Sequence, residues 1–444
     1  MSPRLRAVTL SLVCAATCAV ADDAPPPATR LTLAEAIGRA RAHSARLAQF
    51  VSLEAAAEAG VRGARAGRLP QLDVTAGYTR LSGVPELSFV FPGPPPVRET
   101  VFPNIPDTYR AHAGLSQSLY TGGRIGAGIE AADHQRIAAG EDLHAAVQDL
   151  VLETTSAYWS LVTARETARV LTESLASFES HQKDARNRLD MGLAARSELL
   201  AVQVERDRAE LGRLQAENAS AIAHEDLLRL VGLPPGTRID PADEAAPAPS
   251  ATDEPAALVT SALAARPELA ALRSRAQGAE AAVRVARAPG LPQVGLSAGY
   301  DYARPNTRIL PLVDEWKDSW SVGVNVSITA FDGGRTKAAA AQASAQADAI
   351  RHQIEDVERR VAVEVKSRLL DVASAEAAFR VAVRALEAAQ EAERVERDRY
   401  QQGVSASSDL LDAETRRLRA GVDRTNATAS LSLARARLDR AVGR

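Results

Sequence analysis

The sequence predicts a mainly α-helical fold with a minor β component, laid out as one plan written twice. Aromatics make up only 4% of the 444 residues, alanine and arginine abound, and helix breakers cluster in a few stretches; this is the usage of long helices and not of a large mixed core. Internal repetition is the stronger sign. Thr121-Gly122-Gly123-Arg124 returns as Asp332-Gly333-Gly334-Arg335, and Met191-Gly192 with Leu199-Leu200 returns as Gln402-Gly403 with Leu410-Leu411, both at an offset of 211 residues. Leu69-Pro70-Gln71 returns as Leu291-Pro292-Gln293 at an offset of 222. The halves therefore differ in length between their strands, where an exposed loop tolerates it. The third sign is a change of hydrophobic period, from helical to alternating, ahead of each Gly-Gly-Arg.

Residues 1–21 read as an export signal. Arg4 and Arg6 supply positive charge, the apolar run from Ala7 to Thr17 is too short for a bilayer, and Ala19-Val20-Ala21 offers small residues at a cleavage site. Cys14 and Cys18 both lie in that signal, so the mature chain carries no thiol for disulfides, metal ligation or nucleophilic chemistry. The residues before them fit a lipidation box poorly. A formal charge of -3 is not the balance of a nucleic-acid binder.

The first repeat is read over 22–233, a linker rich in proline, alanine and acids over 234–256, and the second repeat over 257–444. Helical stretches from Leu33 to Ala66 and from Ala256 to Ala288 open the halves. Leu72, Val74, Ala76 and Tyr78 then alternate with Asp73, Thr75, Gly77 and Thr79; Trp320, Val322, Val324, Val326, Ile328 and Ala330 alternate with polar or small residues in the same way. Ala111, Ala113, Leu115 and Leu119, and Val294 through Tyr302, give two further strands. Four strands of about 10 to 12 residues result, each long enough to cross a bilayer when tilted. A soluble sandwich needs more strands than this. Leu81 to Asp107, with Pro92, Pro94, Pro95, Pro96, Pro103 and Pro106, is expected as a long exposed loop without strand or helix.

After each Gly-Gly-Arg a helix of about 65 residues, roughly 100 Å long, runs to Gly192 or Gly403. Ile354, Val357, Val361, Val365 and Leu369 repeat at coiled-coil spacing. The return helices, Ser197 to Leu230 and Ser408 to Val442, are about half as long, so the opening helix of each half is expected to supply the missing length.

Leu31-Thr32-Leu33-Ala34-Glu35-Ala36, the Gly-Gly-Arg of each half and the two Gly-containing tips stand in the order and duplicate spacing of a known family. Across the whole mature chain the sequence resembles the TolC family of outer-membrane channel proteins. The resemblance implies a homotrimer with a twelve-stranded β-barrel in the outer membrane, continued through the periplasm by a long α-helical coiled-coil barrel. It also implies a passive exit duct of a tripartite efflux or type I secretion system, carrying small toxic compounds, partnered by a periplasmic adaptor (membrane fusion) protein and an inner-membrane pump, with no enzyme activity and no cofactor. Physics agrees: four strands cannot close a barrel and open edges are not tolerated in lipid, so membrane strands here require other copies. The alternative, a periplasmic coiled-coil adaptor or structural protein without a channel, needs one hairpin and no duplicated strands.

The site residues follow from the same plan. Gly122, Gly123, Gly333 and Gly334 sit where strand becomes helix, so backbone geometry and not phosphate binding explains them. In the second tip, Asp409 and Asp412 are three apart on one helical face; the resemblance assigns them to carboxylate rings at a periplasmic aperture. Carboxylates about 6 Å apart repel by roughly 3 kcal/mol at an effective dielectric near 20, which favours a bound cation or proton. The resemblance further assigns Tyr400, with Ser197 and Glu198 of the other tip, to a clasp that keeps the aperture shut, and places Ser405 where the family has an arginine. Gly192, Leu193, Gly403 and Val404 are the implied contacts with the adaptor, although both glycines also suit a tight turn. The seven histidines are scattered and read as ordinary solvated side chains.

Overall fold

The computed structural model describes residues 29–242 and 254–444. The expected export signal with both cysteines, and the middle of the linker, lie outside them. The first half runs β1 (Thr29–Leu31), α1 (Leu33–His43), α2 (Ala45–Ala66), β2 (Gln71–Arg80), β3 (Leu87–Phe91), β4 (Val97–Phe102), β5 (Asp107–Thr121), α3 (Arg124–Asp190) and α4 (Arg196–Val231). The second runs β6 (Ile239–Pro241), α5 (Pro255–Ala265), α6 (Pro267–Arg287), β7 (Gln293–Arg304), β8 (Lys317–Ser327), α7 (Arg335–Gln401) and α8 (Ser407–Val442).

Helix α1 starts with a capping box. The Thr32 hydroxyl accepts from the Glu35 amide at 3.2 Å, and the Glu35 carboxylate accepts from the Thr32 amide at 2.9 Å. This is the physical content of the Leu-Thr-Leu-Ala-Glu-Ala opening. The helical stretch that follows is not continuous, as the sequence reading had it. Ser44 turns extended (ψ 112°) and caps α2 through the Leu47 amide. In the second half Pro267 holds Arg266 extended (ψ 120°) and begins α6.

Helices α3 and α7 are both 67 residues long, and α4 and α8 both 36. The shorter elements α2 and α6 lie beside α3, and α6 also lies beside α7, so broken and unbroken helices run together. Alanines (Ala138, Ala146, Ala157, Ala185, Ala209) fill many buried positions and allow close approach. Around mid-length larger residues form a core in which Tyr158, Leu161, Leu227 and Val231 are fully enclosed and the Tyr158 hydroxyl donates to the Leu31 carbonyl. The linker is not wholly irregular: β6 pairs in parallel with β1, lashing the start of the second half to the start of the first.

Strands β2, β5, β7 and β8 form one antiparallel sheet in that order. Registered rows alternate in character. Leu72, Leu115, Ala298 and Val322 stand side by side, as do Val74, Ala113, Tyr300 and Trp320; the intervening row is Asp73, Gly114, Gly299 and Ser321. One face is therefore apolar and the other polar, and the apolar face is uncovered, with Trp320 70% exposed. Tyr78, Tyr109, Tyr302 and Trp316 cluster at the loop end of this sheet, the last two stacked at 4.9 Å.

Three sequence expectations for the β region need correction. Leu81 to Asp107 holds a hairpin, β3 with β4; its prolines occupy the turn and the flanks, where no ladder amide is needed. Strand β8 ends at Ser327, short of Ile328 and Ala330, and β5 is 15 residues long with a register shift between Ser118 and Tyr120.

At the strand-to-helix turns all four glycines have positive φ, from +61° to +88°. A Cβ on Gly122 would stand 2.8 Å from the Ala288 carbonyl oxygen and 2.8 Å from Leu291 Cβ, whereas one on Gly123 would meet nothing within 4 Å. Gly123→Ala should therefore cost about 1–2 kcal/mol from backbone strain alone, and Gly122→Ala that amount plus about 1–3 kcal/mol of overpacking. Loss of far-UV dichroism on heating checks this; equal midpoints for the two variants would contradict the packing.

Candidate functional site

The two helix-to-helix tips are built alike. At the first, Gly192 (φ +71°) donates to the Leu189 carbonyl and Leu193 to the Arg188 carbonyl; at the second, Gly403 (φ +74°) donates to Tyr400 and Val404 to Arg399. This bond pair is the Schellman closure, which glycine permits because it adopts the left-handed conformation without strain. The hydrophobic contact that usually accompanies the motif is missing. Leu193 is 74% and Val404 68% exposed, and both project from the end of the bundle.

Beyond the second tip, α8 presents two different faces. Ser407, Leu410, Ala413 and Glu414 are buried, while Asp409 and Asp412 are exposed together on the opposite side. The Ser405 hydroxyl donates to Glu396 at 2.7 Å and lies 3.3 Å from Asp409, so it stands between two carboxylates. In the first tip Ser197 is exposed and Glu198 half-buried.

Tyr400 lies in the last turn of α7 and is almost completely enclosed. The Arg188 guanidinium lies 3.9 Å over its ring and also donates to its carbonyl, tying α3 to α7. Burial pushes the Tyr400 phenol pKa up, against the opposing charge of Arg188 and the nearby Ser407 hydroxyl. Within one chain the structure thus brings Tyr400 to Arg188 and His181, and no hydrogen bond among the described residues joins it to Ser197 or Glu198. The guanidinium over the Tyr400 ring comes from Arg188 of α3, not from the position Ser405 occupies.

His181 departs from the solvated histidine expected from sequence, being only 2% exposed. Its Nδ1 is 3.0 Å from Glu414 Oε2 and must carry a proton, because a carboxylate only accepts. Its Nε2 is 2.9 Å from the Ser407 hydroxyl, and its ring meets Tyr400 edge-on at 5.2 Å. The other Glu414 oxygen accepts from Ser177 at 2.9 Å and from Arg397 at 3.2 Å. Arg417 pairs with Glu393 at 3.1 Å, and Arg397 binds Glu393 as well. Two buried glutamates are thereby matched by two arginines. No periodicity could have disclosed this, since His181, Glu393 and Glu414 lie on three different helices.

The sequence matches the family described as "Outer membrane efflux protein" over residues 36–233 and 258–444. It is 30% identical over 408 residues to protein CyaE of Bordetella pertussis, covering 89% of this chain and 81% of that protein. It is 24% identical to outer membrane protein TolC of Vibrio cholerae, covering 93% and 90%. The fold superimposes on the outer membrane protein VceC of Vibrio cholerae with a TM-score of 0.76 at 22% identity, covering 93% of this chain and 96% of that one. With its duplicated helical hairpins and its four-stranded sheet, this chain belongs to the outer membrane efflux protein family.

Proposed function

We propose that three copies of this chain close a twelve-stranded β-barrel in the outer membrane, continued into the periplasm by a barrel of their helices. In this reading the trimer is a passive exit duct and not an enzyme. The observation that carries it is the sheet: β2 and β8 are paired on one side only, and the apolar face is uncovered. Lipid accepts the apolar face but not an unpaired backbone edge, so the edges must find strands of other copies. Twelve strands enclose a water-filled lumen, lined by the polar rows. The aromatic cluster at the loop end lies where interfacial girdles form.

The helices set the remaining roles. Asp409 and Asp412, free of the helix packing, converge from three chains as carboxylate rings at the periplasmic aperture. The exposed Leu193 and Val404, presented by the Gly192 and Gly403 turns, are the contacts for a periplasmic adaptor, through which an inner-membrane pump supplies the energy. Small toxic compounds are the proposed cargo.

Purified chain should require detergent and run as a heat-sensitive trimer from outer-membrane fractions; a water-soluble monomer would sink the duct. In planar bilayers the trimer should prefer cations, and hexaamminecobalt(III) on the periplasmic side should block it. Removing both acids as Asp409→Ala with Asp412→Ala should weaken that block by at least about tenfold, since losing only about 1.4 kcal/mol of the attraction that the rings supply to a trivalent ion is a factor of ten. Unchanged block would refute the rings. Val404→Asp, at the exposed position just beyond the Gly403 turn, should keep the trimer yet abolish crosslinking to the adaptor; intact crosslinking would move the docking surface elsewhere.

A further inference from the structure

We propose that His181 is the positioning residue of the aperture, holding the first turns of α8 so that Asp409 and Asp412 point away from α3. This rests on the reading of those two acids as the aperture. Ser407 and Glu414 lie seven residues apart, two turns on one face of α8, and His181 reaches both with its two ring nitrogens. Asp409 and Asp412 fall between them in sequence and emerge on the opposite face. Any rotation of α8 that swings the acids aside, or any slide by one residue, carries Ser407 or Glu414 out of hydrogen-bond range, because such bonds weaken steeply beyond about 3.5 Å.

The clamp is largely enclosed. His181 and Glu414 are 2% and 4% exposed, so a lost partner leaves a mostly buried polar group to be re-satisfied at a cost. The other Glu414 oxygen is already engaged by Ser177 and Arg397, and His181 Nδ1 is the bond given for Oε2. The ring is also wedged against Tyr400, which Arg188 grips from α3. All three helices that meet at the second tip therefore join at this one imidazole. The duplicated half has no counterpart: 211 residues on from His181 stands Ala392, and 211 back from Glu414 stands Gln203.

The test uses purified full-length trimers in planar bilayers, with hexaamminecobalt(III) as the probe of the acids. His181→Phe keeps the bulk and removes both hydrogen bonds. It should raise the time-averaged conductance and weaken the block, with the open fraction rising roughly tenfold, as expected for the loss of one hydrogen bond to a charged group. His181→Asn, which can still donate to Glu414, should restore most of the wild-type behaviour. Ser407→Ala should open the pore in part and serves as the deciding variant should His181→Phe not assemble. Tyr158→Phe, which loses a buried hydrogen bond in the mid-length core, is the control for general loosening and should conduct as wild type. Heat-sensitive His181→Phe trimers with wild-type conductance and block would overturn the proposal, as would wild-type conductance of Ser407→Ala when it alone assembles. Equal opening in Tyr158→Phe would also overturn it. A wild-type trimer that hexaamminecobalt(III) does not block would remove the aperture reading itself, whereas wild-type block relieved by the two alanines, with His181→Phe unchanged, would remove this inference alone.

Discussion

Much in this molecule depends on a backbone constraint: among the described residues, the four-stranded sheet pairs β2 and β8 on one side only and leaves its apolar face bare. In water the apolar rows of Leu72, Val74, Trp320 and Val322 would aggregate, and in lipid the edge amides of β2 and β8 would stay unsatisfied. Lipid on the face and further strands on the edges, as proposed above, would meet both demands together. The halves meet inside the sheet through β5 and β7, so duplication supplies one continuous four-stranded unit with β2 and β8 at its edges.

The helices answer a different demand, that of length without thickness. Two unbroken 67-residue helices give the span, while α4 with α2 and α8 with α6 complete the flanks. Each joint has a local chemical cause: the capping box at Thr32, the serine cap at Ser44, the proline at 267, and the glycines at 192 and 403. The β1–β6 pairing binds the halves at mid-length, close to the largest enclosed side chains.

The two tips share a backbone and differ in chemistry. Where α8 carries Asp409, Asp412 and Glu414, the matching positions of α4 carry Glu198, Ala201 and Gln203. Both Schellman turns persisted through duplication because left-handed geometry is indispensable to the reversal. The charged cluster of His181, Glu393, Arg397, Glu414 and Arg417 arose on one side only, and by burying two glutamates it exchanges hydrophobic stability for a defined register between three helices.

The sequence by itself determined the helical dominance, the duplication, the four strands, the Gly-Gly turns and the placing of Asp409 and Asp412 on one helical face. All of these are local or periodic, and spacing along one segment is enough to express them. Only the tertiary structure decided the partners of a side chain. The Pro-rich stretch hides the β3–β4 hairpin because proline is harmless in turns and at strand ends, whereas the helix breaks at Ser44 and Arg266 do carry local marks, a serine cap and Pro267. His181 looked like any scattered histidine, since its enclosure depends on Ser407 and Glu414, more than 220 residues away, arriving on the same side. Periodicity reports which face of an element is buried; what meets that face is settled only when the helices pack.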